Sequence, residues 1–308
     1  TGRAHLTSFT GKDRMEHAVN ELGRFSPAEA VLNDGACSEA ALLSALQEKF
    51  RCRIERAGER RFLLAEAEQS IRKQFGEDAW NRLPAAVPAA ALALGGLLSY
   101  LYETQKTDLS YINDLDYYEQ GRFMELDLAA RRNLELTQTL RGKEKKGSLL
   151  WVLDRTQTPM GGRCLRSWLE RPLLNVAAIT RRSGAVAALA ERTIRREELI
   201  AALSGLGDME RLIGRIVYGS AGGRDFRSLR SAIEKLPEIK EQLAAFPDRR
   251  LTELAAELDA LEDLGERIAE TLCDEPPFSV REGDLIRDGF DPEVDRLRHI
   301  LKNGKGVI

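Results

Sequence analysis

Few residues in this 308-residue chain have the types and spacings that do chemistry. Its three histidines, His5, His17 and His299, have no Cys, His or Asp at metal-ligand spacing, which leaves little material for a metal site or a general base. Cys37, Cys52, Cys164 and Cys273 are far apart and form no C-x-x-C pair, which argues against a zinc site or a disulfide framework and for reduced thiols. Ser99 and Ser220 lack a G-x-S-x-G frame or a His partner. Asp114 with Asp116, and Glu262 with Asp263, read as solvated loop and helix-face carboxylates rather than acid–base pairs. No G-x-x-x-x-G-K-[ST] loop occurs, and Asn303 to Gly306 lacks both the upstream glycine and the Ser/Thr that would hold magnesium. The sequence therefore predicts a noncatalytic chain that does not hydrolyse ATP. Gly219 to Gly223 follows a helical pattern rather than a strand, and reads as a helix–helix turn instead of an anion nest.

Binding chemistry is equally sparse. The basic run Arg141 to Lys146 could touch phosphates, but without interleaved aromatics it reads as a solvated loop. Trp151 and Trp168 sit among aliphatic residues at helical spacing and are expected in a core. A net charge of −3 gives no global attraction to nucleic acid; residues 1–122 hold 15 Lys+Arg against 18 Asp+Glu, and residues 123–308 hold 31 of each. With 43% hydrophobic and 31% charged residues the composition is that of a globular protein large enough for two domains. The longest apolar stretch, Ala85 to Leu98, is too short and too interrupted by Pro and Gly to span a bilayer, and the N-terminus shows no signal-peptide pattern.

The elements that would position these residues change character near Arg122. Before it, strand-like His5–Thr10, Glu29–Leu32 and Arg51–Glu55 alternate with helical Met15–Leu22 and Ser38–Phe50, a β-α-β-α-β pattern that suggests a sheet flanked by helices. Ala65–Phe75 and Ala89–Gln105 follow as helices, the second containing Gly95 and Gly96. After strand-like Phe123–Leu126 the pattern is almost wholly helical. Leu251, Leu254, Leu258, Leu261, Ile268 and Leu272 occupy heptad a and d positions, predicting one long helix with a coiled-coil-like seam. Leu199 to Ile216 forms a second stripe, broken at Gly205–Gly207 and recapped by Asp208. Asp225 is read as another cap. Phe278 to Gly289 reads as a β-hairpin, and Asp291 with Pro292 restarts a helix that breaks off at Gly304–Ile308.

The densest local signal is Thr158 to Asn175. Gly161 and Gly162 break the chain, Leu165, Trp168 and Leu169 share one helical face, Arg163, Arg166 and Arg171 take the others, and Pro172 stops the helix. Its T-x-M-G-x-R-x-L-x-x-W-L-x-x-P-L spacing resembles the core domain of the MutS family of DNA mismatch-repair ATPases. Met124–Leu136, Gly207–Arg215 with Gly219 and Arg224-Asp225, and Val280–Phe290 are similar to further family segments in the same order, and residues 1–122 more weakly resemble the family's connector domain.

That resemblance implies an α/β RNase H-like connector over 1–122, incomplete at its start, and a mostly α-helical core/lever domain over 123–308 with a small β-hairpin, ending where the levers enter the clamp. Ser183 and Gly184 depart from the bulkier pair expected of the family. The implied role is transmission of ATP state between ATPase and DNA clamp, carried by Trp168, Leu169, Leu251, Leu254, Leu258 and Leu261, with a MutL-binding surface at Gln69 and Ser70. ATP and magnesium, mismatched double-stranded DNA, homodimerisation, and a cytoplasmic, nucleoid-associated location without membrane contact are implied for the full-length protein. A recombination-clamp paralogue lacking mismatch recognition, or an unrelated helical scaffold, are the competing readings.

Overall fold

The first strand, β1 (Arg3–Leu6), pairs in parallel with a segment far downstream, β4 (Asp114–Tyr117), with Leu6 opposite Tyr117. The computed structural model describes residues 2–83, 88–105, 109–119 and 121–303. It divides into two compact units, one comprising Thr1–Asp154 and Leu165–Val176, the other Arg155–Cys164 and Ala177–Ile308.

In the first unit β1 leads to α1 (Arg14–Phe25), then β2 (Glu29–Leu32), α2 (Asp34–Cys37) and α3 (Ala40–Ser44), which continues into a π-helical turn at Ala45–Lys49. The chain returns as β3 (Arg53–Arg56), parallel to β2. Among the described residues the four strands make two separate parallel pairs rather than the single sheet expected from the β-α-β-α-β pattern. Asp114 and Asp116, expected in a solvated loop, lie on β4. Both are half-buried, and across the ladder Asp114 forms an ion pair with Arg3 and Asp116 a hydrogen bond with His5, so polar cross-strand pairs replace an apolar signal.

After a 3₁₀ turn at Glu59–Phe62 come α4 (Leu64–Phe75), α5 (Glu77–Asn81) and α6 (Pro88–Thr104). Ala67 and Ile71 of α4, both fully buried, repeat at i, i+4 and face α6, whose Ala90, Ala91, Leu94 and Leu98 are also buried. Gly95 fixes how closely the two backbones meet: a Cβ there would lie 2.4 Å from the Ala67 Cβ. Fully burying each large aliphatic side chain of this cluster stabilises the unit by about 1.5–3 kcal/mol. The unit continues through α7 (Leu128–Asn133) and α8 (Leu149–Leu153). Phe123–Leu126, expected as a strand, makes only an isolated bridge between Phe123 and Leu173.

Helix α9 (Pro159–Glu170) begins with Thr158 Oγ1 accepting the Gly161 N–H at 3.0 Å, so Gly161 and Gly162 lie inside its first turn and do not break the chain. α10 (Val176–Glu191), α11 (Thr193–Leu203), α12 (Met209–Val217), α13 (Gly223–Ile233), α14 (Leu236–Ala244), α15 (Arg249–Glu257), α16 (Glu262–Thr271) and α17 (Pro292–Asn303) follow. The second unit has two cores. One gathers Ala185, Leu199, Ala202, Leu206, Ala232, Ile239, Phe246 and Leu251; the other gathers Leu212, Leu229, Ile233, Leu236 and Ile268.

Three local expectations for this unit need correction. The heptad stripe from Leu251 to Leu272 is two helices: Leu258 is extended (ψ 113°) and Leu261 is left-handed (φ 53°). The Asp259 carboxylate accepts the Leu261 N–H at 3.0 Å, an Asx turn that offers the backbone an alternative to helix. The hairpin at Phe278–Gly289 is absent as paired strands; a single bridge joins Leu272 to Ile286, and a 3₁₀ turn occupies Val280–Glu282. Asp225 is the third residue of α13, accepting the N–H of the cap residue Gly222 at 2.8 Å. Asp208 and Asp291 do cap α12 and α17. The readings for residues 85–87 and 304–308 lie outside the described residues. No described helix is long and apolar enough to cross a membrane.

Candidate functional site

The partner surface suggested for Gln69 and Ser70 lies on α4. Glu66, Gln69 and Lys73 are exposed at i, i+3 and i+7 and Ser70 is half-buried, whereas Ala67 and Ile71 point into the core. The helix is held firmly: the Gln74 amide donates to Leu109 O and Ile112 O, both at 2.7 Å, and accepts from Tyr102 Oη at 2.6 Å. Arg72 binds Glu68 and Glu77 on the neighbouring face. The exposed stripe thus has a fixed backbone beneath it.

The residues expected to form one transmission seam do not share one surface. Leu251 is buried in the first core of the second unit, and Leu261 packs against the other core. Leu258 touches both cores. Its carbonyl accepts Lys240 Nζ at 2.8 Å, which satisfies a group that the helix break would otherwise leave open. Leu254 is 37% exposed. The seam is therefore a joint centred on Leu258. Trp168 and Trp151, expected in a core, are 43% and 46% exposed; on α9 the half-buried residues of the stripe are Leu165 and Leu169.

Two charged arrangements were not legible as sites. In the first unit Glu21 Oε1 accepts from Tyr118 Oη at 2.6 Å and from Arg171 Nη2 at 3.1 Å, and Arg24 Nε lies 3.0 Å away. The Arg171 guanidinium also sits 4.2 Å from the Tyr118 ring centroid. Burial opposes ionisation of Glu21, yet the Tyr118 hydroxyl, Arg24 and Arg171 outweigh it and hold its pKa below the ordinary carboxylate value. Burial and the bond to Glu21 push the Tyr118 phenol well above its usual range. Burial likewise lowers the pKa of His5, against the opposing pull of Asp116. Positions 21, 118 and 171 are too far apart for any local spacing to betray them; an Arg directly before Pro172 was the single hint.

In the second unit Arg163 makes a bidentate pair with Asp208, at 2.7 and 2.9 Å, and its Nε reaches Glu210 at 2.8 Å. Asp208 simultaneously accepts the Arg211 N–H, so one carboxylate caps α12 and anchors α9, and its pKa is held down chiefly by Arg163. The two best-marked stretches of the sequence, Thr158–Asn175 and Gly207–Arg215, are thus tied by a salt bridge. Their chemistry is structural. Among the described residues no group of three or more His, Cys, Asp or Glu side chains is placed to hold a metal.

A family model described as MutS domain III matches residues 129–303, and one described as MutS domain II matches residues 1–113. The chain belongs to the MutS family. It is 39% identical over 309 residues to the DNA mismatch repair protein MutS of Symbiobacterium thermophilum, covering 100% of this chain and 35% of that protein. The MutS of Desulforamulus reducens is 38% identical over 308 residues, with 99% and 35% coverage, and that of Listeria monocytogenes 42% over 216 residues, with 70% and 25%. The chain spans about a third of the length of the full-span MutS relatives. Both motif stretches joined by Arg163 and Asp208 fall inside the match to MutS domain III, and the α4 surface inside the match to domain II.

Proposed function

We propose that this chain is the connector and core/lever portion of a mismatch-recognition ATPase, noncatalytic itself, which passes ATP state between an ATPase domain and a DNA clamp. The observation that carries the reading is the match of residues 1–113 to MutS domain II and of residues 129–303 to MutS domain III. The division falls near Arg122, with an RNase H-like connector before it, in keeping with the parallel β-strand pairs joined through helices. ATP and magnesium, mismatched DNA and a homodimeric partner belong to the full-length protein on this reading. Within the second unit the transmission element is the joint at Leu258, where two cores share one side chain. Movement of α15 against α16 must repack both.

The test uses the full-length protein carrying Leu258→Asp. ATP-induced release of a sliding clamp from end-blocked mismatched DNA should be lost while nucleotide binding persists; clamp release at the normal rate would sink the proposal. The α4 face is the proposed docking surface for MutL, with Gln69 at its centre. Gln69→Ala together with Ser70→Asp should weaken MutL recruitment to mismatch-bound protein by about tenfold, about 1.4 kcal/mol, in a surface-capture assay. Unaltered recruitment would remove this surface from consideration.

A further inference from the structure

A recess of about 490 Å³ in the first unit lies between the end of α1, α7 and the loop from Leu134 to Ser148. Arg24, Arg131, Arg132, Lys143 and Arg166 line it, against a single carboxylate, Glu170, that is already paired with Arg166 at 3.1 Å. Such a concentration of like charge costs free energy unless something neutralises it. The side chain of Arg24 is 8% exposed, and its Nη2 has no hydrogen-bond partner; Nε lies 3.0 Å from Glu21 Oε1 but is not aligned for a hydrogen bond. Buried guanidinium N–H groups are rarely left open.

The loop that closes the recess carries the basic run Arg141 to Lys146, exposed as expected, on a backbone held by its own hydrogen bonds. Leu140 N–H donates to Glu135 Oε1 at 2.6 Å, Thr139 and Lys143 close a turn through Thr139 N to Glu144 O and Lys143 N to Thr139 O, and Leu149 and Leu150 return to Glu135 and Leu136. Ser148, completely buried, caps α8 by accepting the Trp151 N–H. This fixes the backbone of Lys143 in the wall of the recess, in a left-handed conformation (φ 52°), beside Thr137 and Gln138, which carry neutral donors.

The geometry points to a binding site for a small polyphosphate anion, a di- or triphosphate group, in the recess lined by Arg24, Arg131, Arg132, Lys143 and Arg166. A recess admits a compact anion more readily than the backbone of a duplex, which needs an open ridge. The matching charge excess favours a multiply charged group over a single carboxylate.

Titration calorimetry of the 308-residue chain with tripolyphosphate and with ATP, both without magnesium and at about 0.1 M salt, tests it. Saturable binding is expected, and the double variant Arg132→Glu/Lys143→Glu, whose side chains are exposed, should bind at least about tenfold more weakly with its thermal unfolding unaltered. ATP binding at least as tightly as tripolyphosphate assigns the site to nucleotides; weaker ATP binding assigns it to inorganic polyphosphate. Absence of saturable binding, equal affinity in the double variant, or displacement of the anion by a short duplex at equal phosphate concentration would each overturn the inference.

Discussion

At the scale of single residues the cluster around Glu21 shows how a buried charge is tolerated. One carboxylate serves a phenol and an arginine through hydrogen bonds and a second arginine through charge, so its loss would strand two cations with little access to water. Glu21→Gln should therefore lower unfolding free energy at pH 7 by about 2 kcal/mol, measured by urea titration. The pH dependence has a definite sign. The folded-state pKa of Glu21 lies below its ordinary value, so its contribution is fully present above that value and is lost as pH falls through the lower, folded-state one. The gap between the parent and Glu21→Gln should close as pH drops below about 4.5. The pKa of His5, also shifted down by burial, lies below its ordinary 6.5, so folding disfavours its protonation and stability is lost in a higher window, as pH falls below 6.5; His5→Asn should flatten that part of the profile.

At the scale of elements, packing decides what the sequence left open. α4 and α6 were legible because alanines and leucines recur at helical spacing, but the reason for Gly95 was not, since Ala67 lies on another helix. Gly95→Ala would normally favour a helix by about 1 kcal/mol, yet here its methyl would meet the Ala67 Cβ and backbone at 2.4–2.6 Å. The clash should win: a net loss of about 1–2 kcal/mol, seen as a lower thermal midpoint, with any gain in stability counting against the close approach. β4 was illegible for the opposite reason, because its carboxylates look like loop residues until Arg3 and His5 are placed beside them. The heptad failed at Leu258–Leu261 because apolar period reports which residues are inside, not whether the backbone between them stays helical. Leu254→Asp and Leu258→Asp separate the two pictures. A continuous seam would make them equally damaging, whereas a joint makes Leu258→Asp cost about 2–3 kcal/mol and Leu254→Asp, at an exposed position, less than about 1.

Across the whole molecule many arginines are engaged in internal ion pairs. Arg163, Arg171, Arg215, Arg230, Arg249, Arg287, Arg296 and Arg298 each lie within 4.0 Å of a carboxylate. Net charge could be counted from the sequence; which cations are already neutralised could not, because most partners are on other elements. DNA affinity at moderate salt depends on an excess of cations that displace counterions from phosphates, and a chain of net charge −3 with many of its arginines paired to carboxylates has no such overall excess. The 308-residue chain alone should accordingly bind a G·T-mismatched duplex and its matched counterpart with equal, weak affinity at about 0.15 M salt, measured by fluorescence anisotropy. Lowering the salt should strengthen both together, with the same slope. A preference for the mismatch that survives at high salt would require base-edge or shape readout within these residues, and would move the recognition of the lesion into a part of the molecule here given only a transmitting role.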